Sequence, residues 1–353
     1  MSDIALLEQA LIRQRQRESR RWKFLIGFIV LIAVSLLLDI VTGPSLLPVK
    51  EVVFTLFAPE QADNMTRTIV MEMRLPIALM ALVVGAALGL GGAQMQTLLD
   101  NPLASPFTLG LAAAAGFGAA LALIASSYFG VMSMYSIPMG AFLFSMLAAG
   151  LLFGLALMRH VSSQTIILAG IALLFLFQSL LSLLQFVSSP ELNQQIVFWL
   201  FGSLMRTTWD SLTLTTVVTL VCSVLLYRDA WKLTCLRLGE ARARSLGVNI
   251  NRLRIKTLVL VALMTATAIS FVGIIGFIGL VAPHIGRMLI GEDQRFLIPL
   301  SALCGAAMLS ISSVISKSII PGALFPIGIV TAIIGVPFFI WLILGRGRKH
   351  AGV

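Results

Sequence analysis

Long uncharged stretches alternate with short basic segments along this 353-residue chain. Phe24 to Leu38 carries no charge, Leu75 to Leu99 carries none, and more than fifty consecutive residues from Asn101 to Met158 pass without one. About 20 mostly apolar residues suffice for a helix to cross the hydrocarbon core of a bilayer. The pattern therefore predicts an all-α polytopic membrane protein. Hydropathy and breaker residues divide it into about ten transmembrane helices, at 24–42, 70–99, 107–127, 136–158, 165–187, 210–227, 255–274, 278–290, 295–316 and 326–345. The eighth is short for a full crossing and follows Gly273, Gly276 and Gly279, so a broken helix is predicted there, in a place where protein covers the backbone. Ile196 to Leu204 is predicted as an interfacial helix on the outer side, and Ile4 to Trp22 as a short basic helix lying on the cytoplasmic face. Gly85, Gly89, Gly92 and Ala93 fall near one helix face, with Gly85 and Gly89 in G-x-x-x-G spacing, which predicts a close helix–helix seam.

Charge orients the bundle. With the N-terminus inside and ten crossings, 20 of the 25 Lys and Arg residues lie in inner segments. Five lie outside: Lys50, Arg67, Arg74, Arg206 and Lys317. That asymmetry follows the positive-inside rule and places both termini in the cytoplasm. It accounts for the net charge of +10 through membrane lipid, with no need for nucleic acid. Only 11% of residues are charged, against roughly 25% in soluble domains. The chain divides into a basic N-terminal segment (1–23), a transmembrane domain (24–345) with a cytoplasmic loop at 228–254, and a tail (346–353). The N-terminus has no small-residue cleavage site of the signal-peptide kind.

Few residues offer chemistry. Cys222, Cys235 and Cys304 are too far apart for a C-x-x-C pattern, and His284 has no carboxylate or thiol beside it to complete a metal set. The sequence contains no H-E-x-x-H, no G-x-S-x-G and no G-x-x-x-x-G-K-[ST], so it reads as neither an intramembrane hydrolase nor an ATPase. Apart from Asp39 near a span end, the spans hold almost no carboxylates. That argues against coupling to an ion gradient and for a motor on another polypeptide. Asp39, Gln94, Gln96, Gln178 and Gln185 are polar residues in or near spans, expected to face protein or water. In the 228–254 loop, Glu240 to Leu246 can form two helical turns between Gly239 and Gly247, with small Ala241 and Ala243 suited to seat such a helix in a partner's groove.

Five stretches together resemble the permease family of binding-protein-dependent ABC importers for iron–siderophores, haem and vitamin B12. They are Arg74-Leu75-Pro76 with Gly85 following, Asn101-Pro102-Leu103-Ala104-Ser105-Pro106 with Gly110, the Gly239–Gly247 loop, Phe271 to Arg287, and Pro326-Ile327-Gly328 with Gly335 and Pro337. The resemblance covers about residues 70–345. It implies a fold like the vitamin B12 importer permease. It also implies pairing with a second copy or paralogue, two cytoplasmic ATPase subunits that use ATP and Mg, and a periplasmic or lipid-anchored binding protein. No cofactor is implied for this chain itself, and the setting implied is the cytoplasmic (inner) membrane of a bacterium. Carried over residue by residue, Gly239, Glu240, Ala243, Leu246 and Gly247 form the ATPase-coupling segment. Arg74 and Lys317 are the docking cations for the binding protein, with Arg67 standing in where Ile77 replaces a second family arginine. Asn101, Leu103, Ser162 and Ser163 map to the inner gate. The cargo it implies is an iron–siderophore complex, with haem or vitamin B12 as the alternative.

Overall fold

With no water in the hydrocarbon core to satisfy N–H and C=O groups, an apolar chain crosses it as helix. In the computed structural model, which describes residues 3–45, 47–130, 133–157, 162–319 and 325–350, helices account for nearly all of the chain, and no strand occurs among the described residues. The order begins α1 (Asp3–Val41), α2 (Val49–Phe57) and α3 (Asn64–Arg67). A π-helical turn, Thr68–Arg74, then runs into α4 (Leu75–Leu98), followed by α5 (Leu111–Phe129), α6 (Ser136–Leu157), α7 (Ser163–Val187), α8 (Pro190–Leu200) and α9 (Trp209–Tyr227). The remainder is α10 (Ala230–Leu236), α11 (Glu240–Ser245), α12 (Ile250–Val272), α13 (Ile278–Ile290), α14 (Gln294–Ser318) and α15 (Ile327–His350). Eight helices among the described residues are long and apolar enough to cross a membrane. Two shorter apolar helices, Ile278–Ile290 and Ile327–Ile340, stand where the eighth and tenth spans are predicted.

Three boundaries differ from expectation. The basic N-terminal segment is not a separate helix on the membrane face, because α1 runs unbroken from Asp3 through the first span. No proline interrupts it, and its Leu, Arg, Gln and Glu residues are strong helix formers. Arg21 fastens the junction, pairing with Asp293 at 3.0 Å and lying over the Phe296 ring. The third span starts at Leu111 rather than residue 107, because the turns from Asn101 onward end at Gly110. α8, where an interfacial helix is expected, begins earlier than residue 196, at Pro190, with the Ser189 side chain as its N-cap. Arg159, one of the inner cations, lies outside the described residues.

α4 is the central helix, packed on α14, α13, α12, α9 and α1 and buried along most of its length. Glycines allow this. A Cβ on Gly85 would stand 2.3 Å from the Gly305 carbonyl oxygen on α14, and one on Gly92 would stand 1.8 Å from that of Gly279 on α13. α7, by contrast, leaves Leu168, Phe175, Leu183 and Phe186 exposed, a face for lipid or another subunit.

Candidate functional site

The segment expected to couple to an ATPase folds as a helix, as its sequence suggests. α11 is one short helix between Gly239 and Gly247. Gly247 has φ +82°, a left-handed conformation that costs glycine little. It lets the Gly247 N–H donate to the Arg244 carbonyl at 2.9 Å and the Val248 N–H to the Ala243 carbonyl at 3.0 Å, a Schellman closure. Leu246 is 61% exposed, and Ala241, Arg242 and Ser245 are exposed with it. Ala243 corrects the expected face. It is fully buried against the chain's own core, so it seats α11 on its own bundle and leaves Leu246 and its neighbours exposed. Just ahead of α11, Asp229 accepts hydrogen bonds from Lys232 at 2.7 Å and from Lys256. Burial raises the Asp229 carboxyl, but these two lysines outweigh it and hold the group below the usual carboxylate range.

The gate candidates lie at the same end of the bundle. Asn101 forms a local turn, its Oδ1 accepting from the Leu103 N–H at 2.9 Å, and the Leu103 side chain is half exposed. Ser162 caps α7, accepting from the Thr165 N–H at 3.2 Å. Ser163, the first residue of α7, accepts a hydrogen bond from Arg254 of α12. Arg254 is a residue the sequence reading did not single out. A second group also went unpredicted: Arg237 pairs with Asp100 and with Glu292 (3.3 Å), Arg287 pairs with Glu292 (3.3 Å), and Arg287 donates to Gln96. Of the polar path candidates, Gln94 and Gln96 are buried, whereas Gln178 sits on the exposed face of α7 and Gln185 is half-buried.

At the opposite end, two of the three docking candidates face inward. Arg74 is 4% exposed and donates to the carbonyls of Ile40 (3.1 Å), Val41 (2.7 Å) and Ser45, and to the Ser45 hydroxyl (2.9 Å). Lys317 is buried and reaches α1, donating to the Asp39 carboxylate at 2.7 Å and the Asp39 carbonyl at 3.1 Å. The Thr42 N–H takes the Leu38 carbonyl at 2.9 Å. The last four carbonyls of α1, which no helix can satisfy internally, are thus all bonded, two of them by Arg74 and one by Lys317. Both cations stand where the negative end of the helix dipole favours them. Both cations are thus turned inward and held by the end of α1, not exposed on the rim as docking to a binding protein would need. Arg67 is exposed, as are Lys50 and Arg206, beside exposed Glu51, Glu60, Asp63, Glu72, Glu191 and Asp210. Among the described residues no group of acidic, His or Cys side chains could hold a metal ion.

The FecCD transport family profile matches residues 30–345. The chain belongs to the FecCD transport family. Among relatives of this FecCD permease, the vitamin B12 import system permease BtuC of Klebsiella pneumoniae is 35% identical over 95% of this chain and 97% of its own length. The molybdate import system permease MolB of Haemophilus influenzae is 34% identical over 90% of this chain and 94% of its own. A solved structure described as an inward-facing conformation of a metal-chelate type ABC transporter superposes with a TM-score of 0.80 at 33% identity, covering 92% of this chain and 99% of that one. The FecCD permease is thus a multi-pass membrane permease of the ABC importer class.

Proposed function

We propose that this permease carries an iron–siderophore complex across the cytoplasmic membrane of a bacterium by ATP-driven alternating access, both termini inside. It works with a second copy or paralogue, two separate ATPase subunits that hydrolyse ATP with Mg, and a periplasmic or lipid-anchored binding protein. The observation that carries this reading is α11: a short capped helix whose Leu246 stands in solvent while Ala243 anchors it to the bundle. Large exposed apolar residues on a short capped helix fit a socket in another protein. A large metal chelate is the cargo class supported by likeness to the metal-chelate type transporter and to the vitamin B12 permease. A permease for molybdate at nearly the same identity means that identity alone does not choose the cargo.

Reconstituted with its ATPase and binding protein, the wild-type permease should import ferric siderophore only when ATP is supplied. Replacing Leu246→Arg together with Glu240→Lys should cut transport-linked ATP hydrolysis about tenfold, as expected when a buried contact carries the coupling. Uptake that runs on an ion gradient without the ATPase would overturn the reading. Cargo is tested separately, by asking whether ferric siderophore, haem or vitamin B12 protects the cognate binding protein from heat. Protection by haem or vitamin B12 alone replaces the siderophore assignment and leaves the importer intact.

On the outer face, Arg67 is the remaining docking cation of those expected, in a surface of mixed sign. Arg67→Glu should weaken binding-protein association about twofold to fivefold at low salt, the range of an exposed ion pair. The difference should fade near 1 M salt, where screening acts within about 3 Å. Equal affinity of variant and wild type at low salt would remove Arg67 from the interface.

A further inference from the structure

Three helices meet at one guanidinium. Arg254 lies near the start of α12, and its side chain is only 6% exposed. Its Nη2 donates to Glu240 Oε1 of α11 at 2.9 Å and to Ser163 Oγ of α7 at 3.3 Å. Glu240 opens α11, is half exposed, and is also reached by Arg244 at 3.4 Å. Ser163 opens α7, the helix whose apolar face is left uncovered. A segment read as the ATPase contact and a residue read as part of the inner gate, 77 positions apart in sequence, therefore share one buried donor.

We infer that Arg254 is a positioning residue that transmits displacement of α11 to the inner end of α7. The inference rests on the importer reading above and names the part that joins its motor contact to its gate. α11 is held between glycines at φ +101° and +82° with open space beside both, so its ends can pivot while Ala243 keeps it on the bundle. Arg254 stands on a long core helix and cannot follow α11 freely. A shift of Glu240 disturbs the guanidinium's bonds to both Glu240 and Ser163, and disturbing the pairing of a desolvated charge is costly. The start of α7 therefore moves with α11 or loses its anchor. Arginine suits the task because its planar fork holds two acceptors in fixed directions, whereas lysine offers a point charge on a flexible stem. Arg237 makes a parallel strut from the foot of α11 to Asp100, beside the Asn101–Leu103 turn, but it is 31% exposed and Asp100 is 84% exposed. Solvent screening weakens such a pair, so Arg254 carries the greater share.

The test uses the whole complex of permease, ATPase and binding protein in proteoliposomes, reading cargo imported per ATP hydrolysed. Arg254→Gln should lower that ratio about fivefold or more, a typical coupling factor between sites, Arg254→Lys should recover only part of it, and Arg237→Gln should change it less. Spin labels at Arg242→Cys on α11 and Gln164→Cys on α7 should keep a constant separation on ATP binding in the wild type and diverge in Arg254→Gln. Should Arg254→Gln fail to assemble, Glu240→Ala, at a half-exposed site, removes the acceptor that Arg254 holds at 2.9 Å and should show the same loss. Where both single variants assemble, the double variant should be no worse than either, as expected for residues acting through one contact. A ratio within twofold of wild type in Arg254→Gln or Glu240→Ala, or effects that add in the double variant, overturns the inference and leaves the importer reading standing. A wild-type complex that fails to import with ATP overturns the importer reading itself.

Discussion

Lys317→Ala is expected to lower the stability of the folded permease by about 3–5 kcal/mol, the range measured when one partner of a buried ion pair is removed. Asp39 is fully buried at the end of α1, where its Oδ1 accepts from Lys317 at 2.7 Å and from Ser313 at 2.8 Å. Without Lys317 the carboxylate stays behind in a low-dielectric site with one hydroxyl donor, and the Asp39 carbonyl loses its donor as well. Removing both charges behaves differently. An Asp39→Leu/Lys317→Met protein leaves no unpaired ion, so it should recover to within about 1–2 kcal/mol of wild type, the residue being the lost hydrogen bond to the carbonyl. Thermal or denaturant unfolding of the purified permease in detergent checks the order: wild type at or above the double variant, and both well above Lys317→Ala. A single variant that unfolds with the wild type would show that water reaches the pair. The same geometry explains why charge reversal at Arg74 or Lys317 is a poor probe of docking. Reversal there would break the end of α1, and lost association would report lost folding, whereas exposed Arg67 reports on docking alone.

Much of this was legible from one-dimensional pattern. Span number follows from uncharged runs that can only be helix in lipid, and α13 is legible as a short element after a break because Gly273 and Gly276 precede it and Gly279 stands in its first turn. α11 is legible as a helix because glycines bound it on both sides. The G-x-x-x-G spacing of Gly85 and Gly89 announced the seam with α14. What sequence could not show were pairings between distant positions. Asp39 read as an isolated carboxylate near a span end and Lys317 as a rim cation, although they lie 278 residues apart and neutralise one another. Arg254 looked like one more basic residue of a positive-inside loop, indistinguishable by composition from exposed Arg252. The available signal was Asp39 itself: a carboxylate at a span end implies a buried cation, and few cations were on offer outside. For Ala243 the reason is simpler, since small size fits a residue either to a partner's groove or to its own core.

Gly85→Ala, a change of one methyl group, is expected to destabilise the bundle by at least the 1–3 kcal/mol typical of an overpacked core. The added Cβ would sit 2.3 Å from the Gly305 oxygen and 2.8–2.9 Å from the Gly305 carbonyl carbon and the Ala306 Cα. All three are backbone atoms of α14, so no rotamer change relieves the clash and the two helices must part by about 1 Å to restore ordinary contact. The seam is reciprocal, because a Cβ on Gly305 would stand 2.1 Å from the Gly85 oxygen. Gly305→Ala should therefore cost a similar amount, and the double variant less than the sum, since separation forced by one methyl makes room for the other. Gly27→Ala is the control. Nothing lies within 4 Å of its Cβ position, and an alanine in mid-helix is favoured over glycine by up to about 1 kcal/mol, so that variant should be neutral or slightly more stable. Unfolding midpoints of the four proteins separate a backbone clash from the general effect of losing a glycine. If Gly85→Ala tracks Gly27→Ala, α4 and α14 do not touch as closely as the structure has them. If it falls as expected, α4 and α14 are locked by backbone contact that side-chain motion cannot loosen. Any rocking between outward and inward states must then carry them as one body, with the moving joints left to the lightly packed ends at α7 and α11.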